Sequence, residues 1–259
     1  MDNRAVSGAD ALVCSDGGER REPTSDADWA AWVAAGRTRN WILDDPLLDW
    51  LGLFGRDHDF VPDDELPGYD QRTDFRRLII AQGQAFETGV MRLLAERCPL
   101  VTIATEPAHS RSLDKALETV DAMRSGAPII AQAVLRNPER RTYGVADLLI
   151  RADVLAQLFP DDFAADDPTS ASAPGIGLDG AHYRVVDIKF HTFGLDASGH
   201  LGASADQLAY AAQVTLYNQA LGRIQGYLPP SAYLLGRTWQ RGDNRGAGCF
   251  AHLARVTRG

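Results

Sequence analysis

Apolar positions along the chain follow two rhythms, a helical one in the first half and a strand-like one in the second. Short helical patterns cover residues 26–35 and 46–54, where Trp29, Trp32, Trp41, Leu47, Trp50 and Leu51 supply an apolar surface. Phe75, Leu78, Ile79, Phe86, Val90, Leu93 and Leu94 then recur at helical spacing. They predict a long helix capped by Thr73 and ended by Cys98-Pro99. Residues 100–104 read as a short strand. Leu113, Leu117, Val120 and Met123 form one stripe of a second helix over 113–124, with Gly126 as its stop. Beyond it the period shortens: 128–135 and 142–151 flank the turn-rich hexapeptide Arg136-Asn-Pro-Glu-Arg-Arg141 and predict an antiparallel hairpin. Residues 160–181, rich in Asp, Ala, Ser, Pro and Gly, read as a loop insertion that packs poorly. A strand over 183–190 follows. Ser204 and Gln207 resemble a capping box that opens a helix to about residue 221, and a last strand covers 231–239, with 249–256 as a candidate closing strand.

This order divides the chain into a polar, disordered leader (1–24), a Trp-rich helical extension (25–72) and a main domain (73–259). With 259 residues and 45% apolar composition, one large globular core with an extension is the expected size. No stretch has transmembrane or signal-peptide character, so a cytoplasmic location is the default. Cys14, Cys98 and Cys249 lie far apart without a CxxC pair, which supports neither a disulfide framework nor a zinc or iron–sulfur site. A net charge of -9 argues against a protein that coats nucleic acid with its whole surface, but leaves room for a focused basic cleft. Arg136, Arg140, Arg141 and Arg237 are candidates for phosphate contact, weighed against ordinary solvated surface charge.

The residues that change the picture are charges inside apolar runs. Lys115 and Lys189 are the only lysines among 26 Lys and Arg, and Lys189 sits in the run Tyr183-Arg-Val-Val-Asp-Ile-Lys-Phe190. Period-two alternation puts Asp187 and Lys189 on one strand face. A compact ammonium at a crowded point serves a need that a planar guanidinium would not. Asp147 occupies a similar place in Tyr143-Gly-Val-Ala-Asp-Leu-Leu-Ile150. If the two strands are antiparallel neighbours, a divalent cation can bridge the carboxylates at about 2.0 to 2.1 Å per oxygen, as Mg2+ requires. Hard oxygen donors suit Mg2+ or Mn2+ over zinc. The alternative is an internal Asp187–Lys189 ion pair with Asp147 at a strand end. Glu87, one turn after Gly83, borders the apolar stripe of the long helix. Gln213 and Tyr217 share a helix face at i,i+4 spacing. His191 is expected at an exposed strand end.

A helix Glu, a hairpin Asp, a strand Asp-x-Lys and a following Gln-x-x-x-Tyr helix, in this order, resemble the PD-(D/E)XK nuclease superfamily. The resemblance is nearest to its RecB-like branch, which includes the RecB nuclease domain and CRISPR-associated RecB-like exonucleases. It covers roughly residues 73–239, with Ala146 standing where the motif has Pro. It implies an α/β fold with a restriction-endonuclease-like αβββαβ core, a central mixed sheet flanked by helices. It further implies metal ligation by Asp147, Asp187, the Ile188 carbonyl and Glu87, with Lys189 as the catalytic lysine. Gln213 and Tyr217 would brace the site or contact DNA. The implied activity is Mg2+- or Mn2+-dependent hydrolysis of DNA, single-stranded or at duplex ends, in repair, recombination or defence. The implied partner is a helicase or other repair protein, and no membrane is expected; some RecB-like nucleases hold an iron–sulfur cluster on four cysteines, which the three here cannot supply, so none is expected. The alternatives are a catalytically silent nucleic-acid-binding or scaffolding module of a helicase–nuclease assembly, and an enzyme acting on RNA.

Overall fold

A computed structural model describes residues 7–16, 19–163 and 167–257. In chain order its elements begin with β1 (Cys14–Asp16), β2 (Glu19–Arg21), α1 (Asp26–Ala30), β3 (Val33–Ala34), α2 (Thr38–Ile42) and α3 (Pro46–Phe54). They continue with α4 (Phe75–Ala95), β4 (Leu100–Thr102), α5 (Leu113–Arg124), β5 (Ile129–Asn137), β6 (Thr142–Arg151) and α6 (Ala152–Leu158). The last are β7 (Tyr183–Leu195), α7 (Ala205–Gln225), β8 (Ser231–Arg241), β9 (Asn244–Ala247) and β10 (Ala254–Thr257). The fold is α/β: an open mixed sheet in the order β10-β8-β7-β6-β5-β4, with helices on both faces. The pairs β5/β6 and β6/β7 are antiparallel, while β7/β8 and β4/β5 are parallel. Among the described residues no helix is long and apolar enough to cross a membrane.

Alternation within the strands builds two cores. On one face Ile130, Leu149, Val185 and Leu234 meet Val120 and Met123 of α5 and Val214, Leu221 and Ile224 of α7. On the other, Ile129, Leu148, Val186 and Leu235 meet Val90 and Leu94 of α4 and Leu155 of α6. Strands covered on both sides read as near-continuous apolar runs, which is why a charge inside one stands out.

Several elements differ from the sequence-based expectation, each for a physical reason. Asp74, not Thr73, caps α4, accepting from the Arg77 N–H at 3.1 Å. The helix is 21 residues and so roughly 30 Å long. Only its second half overlies the sheet, so Phe75, Leu78 and Ile79 stay exposed while Val90 and Leu94 are buried. The first helical pattern stops at Ala30, because Val33 donates its N–H to the Arg141 carbonyl at 2.8 Å and the chain becomes a strand beside β6. Ser204 precedes α7 without a side-chain cap. That helix runs on to Gln225 and ends at Gly226, whose φ of 68° is the left-handed conformation glycine permits.

Two segments expected to be loose are packed. Within the leader, Ala11 and Leu12 lie in the core; residues 1–6 and 17–18 of it lie outside the described residues. Within 160–181, Ala173 and Ile176 join the core. Beside it, Asp167 is fully enclosed, bonded by Arg184 Nη2 at 2.5 Å and by the Tyr233 hydroxyl. Residues 164–166 of the same insertion lie outside the described residues.

Candidate active site

The site forms where the sheet splits. The last rung shared by β6 and β7 is Leu148 with Val186, and the next pair in register would be Asp147 with Asp187. There the ladder stops. Instead of a backbone carbonyl, the Asp147 carboxylate takes the Ile188 N–H, with Oδ2 accepting at 2.6 Å. Past this point β7 continues along β8, while β6 pairs with β3, Val33 opposite Thr142 and Ala34 opposite Tyr143. A β-bulge follows Lys189: Lys189 is paired with Gly236 but Thr192 with Thr238, one extra residue in β7. Bulges of this kind re-aim side chains beside functional sites.

Asp187 is fully buried, with the Lys189 ammonium against its Oδ2. Its Oδ1 is also buried and has no hydrogen-bond partner. Burial and the neighbouring Asp187 push the Asp147 carboxyl well above the usual carboxylate range. Burial also raises the Glu87 carboxyl, against the pull of Lys189. Burial opposes the charge on Lys189, but Asp187 and Asp147 outweigh it, so the ammonium titrates above the ordinary lysine value. Glu87 reaches this cluster from α4, on the opposite side of the sheet from α7. Gln132 holds it, donating from Nε2 to Glu87 Oε1 at 2.5 Å. Gln132 would pair with Asp147 across β5/β6, but its φ of 52° takes it out of the ladder. Strained backbone of this sort persists where the surroundings over-determine it.

On the α7 side, Gln213 Nε2 donates to the Tyr217 hydroxyl at 3.2 Å. The Tyr217 ring lies on Gly144 of β6, so close that a Cβ there would sit 2.8 Å from Cε1. Burial, then Asp187, raises the Tyr217 hydroxyl above its ordinary pKa, keeping it a neutral donor beside the carboxylates.

The chain matches no known protein family, curated protein or solved structure.

The structure therefore brings Asp147, Asp187, Lys189 and Glu87 into one electrostatic cluster, with Ile188 bridging and Gln213 and Tyr217 behind it. Among the described residues no three His, Cys, Asp or Glu side chains are arranged to hold a metal ion. Each carboxylate spends one oxygen on an internal partner: Ile188 N–H, Lys189 or Gln132. The donor set still fits a hard divalent cation in kind, because it is all oxygen and one of those oxygens is buried without a partner. Gln132 carries the same signal that marked Asp147, a polar residue in an apolar strand, and sequence reasoning passed over it. Tyr210 lies on the face of α7 that carries Gln213 and Tyr217, under Lys189 with Nζ at 5.8 Å from the ring centre.

Two expectations are corrected. Arg136 is not a surface phosphate contact: it is buried, stacked over Trp29 at 5.3 Å and Trp32 at 5.5 Å, and paired with Glu22 at 3.0 Å. His191 is not at a strand end, since β7 runs to Leu195. It is half-buried against Tyr210 at 5.5 Å, and burial lowers its pKa.

Proposed function

We propose that this chain is a metal-dependent nuclease of the PD-(D/E)XK type, in its RecB-like branch, that hydrolyses DNA phosphodiester bonds in repair, recombination or defence. The observation that carries the reading is the buried, unpartnered Oδ1 of Asp187, beside a second desolvated carboxyl and the Lys189 ammonium. A buried charge without full pairing is costly and is kept where a cation completes it. An internal ion pair accounts for Oδ2 of Asp187 and leaves Oδ1 without a role.

Asp147, Asp187, the Ile188 carbonyl and Glu87 would hold Mg2+ or Mn2+. A cation there lowers the pKa of a bound water and stabilises charge on a phosphoryl oxygen. Lys189 orients the attacking water or neutralises negative charge that develops on the phosphate. Gln132 fixes Glu87. Tyr217, fixed by Gln213 and Gly144, forms the back wall. Lys189→Ala and Asp187→Ala are expected to abolish Mg2+- or Mn2+-dependent cleavage of single-stranded DNA while circular dichroism shows the fold intact. Cleavage by either variant at the wild-type rate would rule the reading out. Parallel digestion of labelled DNA and RNA identifies the substrate.

The internal partners held by all three carboxylates favour a second reading, a catalytically silent nucleic-acid-binding or scaffolding module of a helicase–nuclease assembly. DNA binding without cleavage in any divalent metal would select it.

A further inference from the structure

Two basic groups converge on the Tyr210 ring beside Lys189 and a third lies close by, and the proposed hydrolysis uses none of the three. The Arg39 guanidinium, from the Trp-rich segment, lies over the Tyr210 ring at 5.3 Å, and His191 meets the same ring edge-on at 5.5 Å. Arg237 is exposed at the same end of the sheet, stacked on Phe190 at 4.6 Å. Arg39 is half engaged. Its Nη2 bonds Asp206 Oδ1 at 2.7 Å, while its Nη1 is buried and has no hydrogen-bond partner.

The partner it does have is weak. The Arg39 and Asp206 side chains are 41% and 53% exposed, and an ion pair so open to solvent contributes little and is screened by salt. A phosphate offers a guanidinium two parallel hydrogen bonds, satisfying Nη1 and displacing Asp206. The segment that leads to Arg39 is tied to the sheet. Just upstream, β3 is stitched to β6, and Trp29 packs on Tyr143 at 4.9 Å.

We infer that Arg39, resting on Tyr210, binds a backbone phosphate of the nucleic-acid strand next to the phosphate placed at Lys189, so that the Trp-rich segment builds one wall of the cleft. The inference takes the identity of its ligand, a nucleic-acid strand, from the proposed function. Tyr210 also presents a ring on which a base can stack.

The test is binding without cleavage. The full chain is titrated against a fluorescein-labelled single-stranded DNA oligonucleotide in EDTA, with anisotropy read at several salt concentrations. Arg39→Ala is expected to weaken binding roughly tenfold and to reduce the slope of log K against log salt by about one. Asp206→Asn breaks the same ion pair from the other side. It is expected to bind as well as wild type or more tightly, since it frees Arg39. If Arg39→Ala keeps wild-type affinity and slope, the inference is overturned. It is overturned equally if Asp206→Asn weakens binding as much as Arg39→Ala, because the pair then acts only to hold the segment in place. Cleavage in Mn2+ by the wild-type chain is scored separately. Arg39-dependent binding without cleavage discards the nuclease reading and keeps the phosphate site. Cleavage with binding indifferent to Arg39 does the reverse.

Discussion

Burial and charge oppose each other most strongly at Asp147. Its carboxyl titrates above the ordinary range, so between the unfolded and folded pKa values the native state holds a proton that the unfolded chain has released. This group's contribution to stability without metal is then full in acid and is lost as pH rises through that window. Asp147→Asn removes the ionisation. In urea unfolding with EDTA present, it is expected to be more stable than wild type at neutral pH and to flatten the pH slope; an unchanged slope would refute this. Asp147, Asp187 and Lys189 were legible in the sequence because a charge in a doubly covered strand has no solvent to face. Gln132 carried the same mark. Arg39 carried none, since its meaning depends on Asp206 and Tyr210, which reach it only through the tertiary fold. Arg136 departs from its local pattern for the complementary reason: nothing near it in sequence announces that two tryptophans will close over it.

Periodicity located the helices and strands well, and it failed where a partner decides. The strand β7 extends five residues past Phe190 because β8 offers matching rungs as far as Arg241 beyond the bulge. The composition of the insertion lacks a period and predicts a loose segment, yet a few buried polar contacts anchor it. His182 belongs to that anchor. Its Nδ1 faces the Ala171 carbonyl at 3.0 Å, and its Nε2 accepts from Arg184 Nε at 3.0 Å. A proton on Nε2 would set two donors against each other. Burial, with Arg184 second, accordingly drives the His182 pKa down to about 4. The unfolded chain takes up the proton first, so this contribution is full above the ordinary histidine pKa and is lost as pH falls toward 4. Protection factors of the amides around 171–184, corrected for the intrinsic pH dependence of exchange, are expected to fall over that interval in the wild type and to stay level in His182→Gln.

Across the whole molecule the two cores are unequal to the apolar surface available. Leu94 is completely buried, whereas Leu53 of α3 is 65% exposed and Phe75 of α4 is 72% exposed. Leu94→Ala is expected to cost about 2–5 kcal/mol in chemical denaturation. Leu53→Ser is expected to change stability by no more than about 0.5 kcal/mol. A comparable loss for both would mean that α3 is covered in solution. The sheet also contains a problem of timing. The edge of β6 that β7 abandons at Asp147 is closed by β3, a segment made near the start of the chain for a strand made far downstream. Pairings that span so much chain are slow to find because loop closure comes before any gain. During synthesis β3 must wait, unpaired, until the β5/β6 hairpin that it joins has emerged. Loss of the Val33–Ala34 pairing would therefore open the sheet edge next to Asp147, although these two residues stand more than a hundred positions from Lys189 in the sequence.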